Sequence, residues 1–228
     1  MRFLVTATLL CATSLLAQAA GGPTLRELYV QDQRDRGVAL ADDGASMLPK
    51  DQADKLPSYD WEKDVPKRDE ARREQAYALL AKPGHNGEDY YYAAFLFQHG
   101  QKAEDYLFAH ILATEAVALG YSRAKWISAA TLDRYLQQIG QKQVFGTQYV
   151  GENYAYYLEH QHDPDVGDKF KALSDQQTLQ PYAPQIVPDA IRSEFCVPPF
   201  AVQQQHIADV KAGKVKAGDL PRVKDCTR

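Results

Sequence analysis

The alternation of hydrophobic and polar residues in the middle of the chain predicts three helices that each end at a glycine. The runs are residues 87–99, 103–119 and 122–139, and the glycines that follow them are Gly100, Gly120 and Gly140. A glycine directly after a helix adopts the left-handed conformation without steric cost, and connections this short make neighbouring helices antiparallel. The sequence therefore predicts a group of antiparallel helical hairpins with repeat-like spacing.

Two more helices are predicted before this group. Thr24-Leu25-Arg26-Glu27 has the pattern of a capping box, and a helix over residues 25–36 is expected to follow it. Pro66 suits a first helical position, and the composition of residues 67–81 favours a second helix. The residues between them, 37–64, show no sustained periodicity, so we expect mainly a loop there.

The hydrophobic period changes after residue 140, and the new pattern predicts a β-hairpin. Two runs rich in Val, Phe and Tyr flank Gly151-Glu152-Asn153, so we expect the hairpin at about residues 143–159. Prolines keep residues 163–199 largely extended, with one short helix expected at 189–195, and a last helix is expected at 200–211. The predicted fold class is mainly α, with antiparallel helical hairpins followed by a β-hairpin and a proline-rich C-terminal extension.

The first nineteen residues have the pattern of a secretory signal peptide. Residues 3–16 are almost all apolar, and Ala17-Gln18-Ala19 supplies small residues at a cleavage site. The apolar run is shorter than the roughly 20 residues that span a bilayer, so we expect cleavage and no stable membrane insertion. Leu10 argues against lipidation of Cys11. The mature protein is therefore predicted to be soluble and exported, either periplasmic or fully secreted.

Two cysteines remain after the predicted cleavage. An even number of cysteines in an exported chain favours one disulfide, here between Cys196 and Cys226, which would tie the C-terminal extension down. Two separate thiols are the alternative. We expect a single helical domain over residues 20–212 and a tail over 213–228.

Composition and charge narrow the classes of partner. The 228 residues are 45% hydrophobic, which is typical of a folded chain, and the formal net charge of −4 comes without a basic stripe, so a nucleic-acid partner is disfavoured. The chain has no glycine-rich phosphate loop, so no cofactor is predicted. His160-Gln161-His162 has no third ligand at a recognised spacing, and no metal site is predicted.

Four short segments resemble the motifs of a known family. They are, in order, Asp32-Gln33-Arg34-Asp35-Arg36, Gln98-His99-Gly100, Asp133-Arg134 and Phe145-Gly146-Thr147-Gln148. They are similar to the Asp-Gln-x-Asp-Arg, Gln-His-(Ala/Gly), Asp-Arg and (Tyr/Phe)-Gly-Thr-Gln motifs of an uncharacterised bacterial family, a domain of unknown function. Pro188-Asp189-Ala190-Ile191-Arg192 resembles its closing pattern. The resemblance covers about residues 25–210; it implies a mostly helical fold and supplies no activity.

The direction of the chain predicts that these motifs converge. In three consecutive antiparallel helices the first and the third point in the same direction, so His99 and Ile139 lie at the same end of the helix group. Asp133 lies about 9 Å from that end along the third helix. We therefore expect one polar cluster, to which residues 32–36 are a further contributor. Its members are Gln98, His99, Asp133, Arg134, Thr147 and Gln148.

Each member of this cluster has two interpretations. His99 either caps the end of its helix or acts as a general acid or base. Asp133-Arg134 is either structural, as a buried pair or as a cap on a neighbouring loop, or a catalytic carboxylate beside an oriented cation. The cluster as a whole is either a ligand site or a clasp that holds the predicted β-hairpin on the helices.

Two hypotheses for the function follow from these interpretations. The first is an exported binding module whose partner is a peptide, a protein or a component of the cell envelope, bound through the polar end of the helix group. The alternative is a metal-independent hydrolase that uses His99 and Asp133. An enzyme needs both groups in one concave pocket, whereas a binding module can present them on a flat face.

Overall fold

The computed structural model describes residues 22–167, 169, 174, 176–223 and 226, so the predicted signal peptide lies outside the described residues. The described part is mainly helical with a small antiparallel sheet, which confirms the mainly α fold class. Its helices are α1 (Leu25–Asp35), α2 (Lys50–Ala53), α3 (Val65–Leu80), α4 (Gly87–Phe97), α5 (Ala103–Ala118), α6 (Ala124–Gln138), α7 (Glu152–His160), α8 (Asp189–Glu194) and α9 (Phe200–Lys211). The strands are β1 (Val150–Gly151) and β2 (Gln177–Thr178).

Helix α1 begins at the predicted capping box. The Thr24 side chain accepts a hydrogen bond from the backbone N–H of Glu27, and the Glu27 carboxylate accepts one from the backbone N–H of Thr24. Two of the N–H groups that the first turn leaves without a helical partner are satisfied in this way. The segment between α1 and α3 is mainly a loop, as expected, with the short helix α2 and one isolated β-bridge between Leu40 and Met47.

The helix group is built around α5, which packs between α4 and α6. Ala109, Ala113 and Ala116 are fully or almost fully buried on α5, and their small side chains let the neighbouring helices approach closely. The aromatic side chains of α4 fill the core on the other side, where α1 and α3 pack. The predicted helical hairpins are therefore present.

The three glycines of this group have two different roles. Gly120 and Gly140 have φ of +85° and +71°, the left-handed conformation predicted for a residue after a helix. Gly100 does not adopt a positive φ; a Cβ there would overlap the side chain of Asp105. The Asp105 carboxylate accepts hydrogen bonds from the backbone at the start of α5, so Gly100 makes room for a helix cap.

The predicted β-hairpin over residues 143–159 is wrong. Strand β1 pairs with β2, with Val150 opposite Thr178, and the residues after β1 form α7. The tyrosines favour strands locally, but Ala155 and Leu158, three residues apart, are both buried, so a helix buries this segment's apolar side chains on one face. The strand partner comes from a distant segment, which local patterns do not indicate.

The C-terminal extension is tied to the fold by the predicted disulfide. Cys196 and Cys226 are bonded, with their Cα atoms 5.6 Å apart. Within the described residues, no helix is long and apolar enough to cross a membrane.

Candidate functional site

Ion pairs join the last turn of α1 to the first half of α3. Asp35 accepts hydrogen bonds from Arg68 Nε and Arg72 Nη1, both at 2.6 Å. Asp69 accepts one from Arg36 Nη2 at 2.7 Å and another from Arg72 Nη2. Residues three or four apart share a helix face, so each helix presents alternating charges to the other. The result is a rigid ionic network in which the guanidinium of Arg36 has little freedom.

Asp32 lies at the inner end of this network and is only 1% exposed. Its Oδ1 accepts a hydrogen bond from Arg36 Nη1 at 2.8 Å and lies 3.0 Å from His99 Nδ1. Its Oδ2 accepts one from Gln33 Nε2 at 2.9 Å. A buried carboxylate is costly to leave unpaired, and these three partners compensate for the lost water. Asp32 thereby fixes the imidazole of His99.

A cavity of about 420 Å³ opens beside this network, where the ends of α1 and α4 meet the start of α3 and the last turns of α6. Its lining residues are Arg36, Trp61, Val65, Pro66, Asp69, Gln98, His99, Gly100 and Arg134. The volume is that of a site for a small ligand or a few residues of a larger one. Trp61 is 62% exposed at this site, and the Arg36 guanidinium lies 5.8 Å from the centre of its ring system.

His99 is held as a neutral imidazole in the wall of this cavity. Burial lowers the pKa of His99 below its ordinary value, and Asp32 only partly opposes that effect. A neutral imidazole beside a carboxylate donates from Nδ1, which leaves Nε2 as an acceptor. Among the described residues, Nε2 has no hydrogen-bond partner. The side chain therefore does not cap α4, and Nε2 is available to a ligand or to water.

Arg134 contributes a cation that has no acidic partner among the described residues. Its Nη1 donates a long hydrogen bond of 3.4 Å to the carbonyl of Gln98, and its Nε is buried without any partner. Burial lowers the pKa of Arg134. Tyr106 gives Arg134 a side-chain hydrogen bond, but among the described residues no carboxylate compensates for the desolvation of its guanidinium.

Asp133, the preceding residue, binds a different part of the molecule. Its Oδ1 accepts hydrogen bonds from the backbone N–H groups of Val144 and Phe145, at 2.8 and 3.0 Å. Its Oδ2 accepts from the backbone N–H and the hydroxyl of Thr147, at 2.9 and 2.7 Å. Burial raises the pKa of Asp133, while these four bonds act in the opposite direction. Asp133 clasps the segment that leaves the helix group.

Side chains from the C-terminal extension bind this same segment. The carbonyl of Phe145 accepts hydrogen bonds from Tyr182 Oη at 3.0 Å, from Gln203 Nε2 at 2.9 Å and from Arg192 Nε at 3.3 Å. No local sequence pattern predicts a role for these three side chains, although Arg192 belongs to the segment that resembles the closing motif. Their burial around a single loop carbonyl indicates a structural role.

The six residues expected in one polar cluster are divided by their hydrogen bonds between two places. Gln98, His99 and Arg134 line the cavity, and Asp133, Thr147 and Gln148 form the clasp. The reason is helical geometry, because adjacent residues of an α-helix point about 100° apart. The contribution expected from residues 32–36 is realised, since Asp32 binds His99 and Arg36 lines the cavity.

Trp61 and Asp69 belong to the cavity but were not among the candidate residues. Asp69 and Arg72 are three residues apart on one face of α3, and this spacing is a signal for an ionic contact. Trp61 lies in the long loop, where the sequence carries no periodic signal. Among the described residues, no three His, Cys, Asp or Glu side chains are placed to hold a metal ion.

Comparison with protein-family models, curated proteins and solved structures found no match for this chain. The resemblance to a bacterial domain of unknown function therefore stays a prediction.

Proposed function

We propose that this protein is an exported binding protein whose partner, a peptide, a protein or a component of the cell envelope, is held at the cavity beside Arg134. The observation that carries the proposal is the guanidinium of Arg134, which lines the cavity with a buried Nε and without an acidic partner among the described residues. A partner that supplies hydrogen-bond acceptors would satisfy this group. The disulfide and the signal-like N-terminus support export.

The lining of the cavity favours binding over covalent catalysis. It contains no Ser, Thr or Cys side chain, so the described residues offer no hydroxyl or thiol nucleophile there. The charged groups on the α1 and α3 side are fixed by ion pairs before any ligand arrives, which reduces the conformational entropy lost on binding.

The test is capture of the partner from a periplasmic or culture-supernatant extract on immobilised protein. We expect a component that is retained by the wild type but lost from Arg134→Gln. The matched control is Arg26→Gln, which removes an exposed arginine that pairs with Glu88 on another part of the surface. Retention of the same components by all three proteins would overturn the proposal.

A hydrolase is the second candidate, and the Asp32–His99 pair favours it. An imidazole oriented by a carboxylate at Nδ1 has its Nε2 free to take a proton from water. The carboxylate in this version is Asp32, because both oxygens of Asp133 bind the clasped segment. Cleavage of an ester or amide substrate that is lost in both His99→Ala and Asp32→Asn, with Asp133→Asn still active, would favour the hydrolase.

A further inference from the structure

The charges around the cavity do not balance. Arg36 and Arg134 line it, and Arg68 and Arg72 are linked to it through ion pairs, so four arginines belong to this network. Three aspartates form ion pairs with Arg36, Arg68 and Arg72, namely Asp32, Asp35 and Asp69, and Asp64 also acts electrostatically on Arg68. With His99 neutral, the residues that line the cavity have one positive charge in excess, because Asp69 is their one carboxylate, and Arg134 has no carboxylate partner among the described residues.

A neighbouring cavity does not have this imbalance of charge. A space of about 540 Å³ lies between α3 and the α4–α5 connection, and three basic and three acidic side chains line it. They are Lys67, Arg73, Lys102, Glu70, Glu74 and Asp105. None of its lining residues has a buried polar atom without a partner. Of these two cavities, the smaller one combines an excess charge with an unsatisfied donor.

The excess of a single charge selects a monoanion. A dianion such as hydrogen phosphate would bring one charge too many and would lie close to Asp69, which also lines the cavity. A carboxylate has one charge, and its two oxygens match the parallel N–H donors of a guanidinium. The guanidinium of Arg134 has such donors, and its buried Nε has no partner among the described residues.

The rest of the wall fits an apolar group attached to that carboxylate. The apolar lining residues of the cavity are Trp61, Val65 and Pro66, and the indole of Trp61 is largely exposed. An aromatic or aliphatic group placed against Trp61 would bury apolar surface that water now covers.

From these observations we infer that the cavity binds a monocarboxylate that carries an apolar group, with the carboxylate on Arg134 and the apolar group against Trp61. This inference rests on the proposed function, whose site it shares, and names the chemistry of the ligand. The carboxylate belongs either to a free organic acid or to the C-terminal residue of a peptide, because both present the same group.

Isothermal titration of the purified protein tests the inference with matched probes. The first pair is N-acetylphenylalanine and its C-terminal amide, which differ in the carboxylate alone. The second pair is the peptide Gly-Gly-Gly-Gly-Phe with a free and with an amidated C-terminus. Inorganic phosphate, titrated at a pH above its second pKa, is the dianion. We expect each free acid to bind at least about tenfold more tightly than its amide, and more tightly than phosphate.

The variants separate recognition from a structural role. Arg134→Gln is expected to lose at least about tenfold in affinity for the free acids and to keep its melting temperature, because it removes a buried charge that no carboxylate of the described residues pairs, while the amide can still hydrogen-bond. Arg134→Lys is expected to recover part of the affinity, and Arg26→Gln to behave as the wild type. Equal binding of acids and amides, tighter binding of phosphate, or unchanged acid binding in Arg134→Gln would overturn the inference.

The outcomes also distinguish the two proposals. If the peptide acid binds as tightly as N-acetylphenylalanine, the carboxylate is one that a polypeptide terminus can supply; if only the small acid binds, the ligand is a free acid. If no probe binds while an extract component is still captured through Arg134, the inference fails and the proposed function stands. If that capture does not depend on Arg134, the proposed function fails as well.

Discussion

Replacement of Asp133 by Asn is the sharpest test of the clasp that holds residues 144–147 on α6. The amide keeps one oxygen, which can still accept from the backbone N–H groups of Val144 and Phe145. Its NH₂ group then faces the backbone N–H of Thr147, which at present donates to Oδ2 at 2.9 Å. Two donors cannot bond to each other, so one buried N–H loses its partner.

The size of the effect follows from these bonds. A buried N–H without a partner costs about 1–3 kcal/mol, and the bonds that remain become weaker because their acceptor is no longer charged. Relief of the buried negative charge offsets part of this loss, which leaves a net destabilisation of about 3 kcal/mol. For a chain of this size, we expect the melting temperature to fall by about 6–12 °C.

Urea denaturation followed by tryptophan fluorescence measures this change. Trp126 packs against the cluster that contains Phe145, so its emission reports on the clasped segment. The control is Asp165→Asn, which removes one exposed partner of the Asp165–Lys169 pair and should leave the free energy of unfolding close to that of the wild type. If Asp133→Asn is as stable as this control, the four hydrogen bonds do not hold the segment.

Three further predictions follow from other parts of the fold. The free energy of unfolding should fall between pH 7 and pH 5 more steeply in the wild type than in His99→Gln. Burial lowers the pKa of His99 in the folded protein, so the unfolded chain, with a histidine pKa near 6.5, takes up the proton first as the pH falls. Urea denaturation at several pH values measures this difference. Replacement of Cys196 and Cys226 by Ser should cost about 3–4 kcal/mol, measured by non-reducing denaturation, since the bond closes a loop with a sequence separation of 30 residues. Gly100→Ala should cost about 1–3 kcal/mol in thermal unfolding, because the new Cβ overlaps Asp105.

The sequence alone determined the helices and their limits where the signals are local. The capping box at Thr24 and the glycines at 120 and 140 act through bonds and dihedral angles within a few residues, so the pattern predicts them directly. The disulfide also followed from counting cysteines in a chain with a signal-like N-terminus. For the candidate site, the sequence supplied most of the residue types, namely the histidine, the arginines and the aspartates of the motifs.

Only the tertiary structure decided how those residues are combined. Asp133 and Arg134 are neighbours in sequence, yet one clasps the following segment and the other lines a cavity, because the helix turns them to different faces. His99 is paired with Asp32 from α1, and the partner of β1 comes from residues 177–178. These contacts join segments that are distant in the chain, so their geometry depends on how the helices pack, which no local pattern encodes.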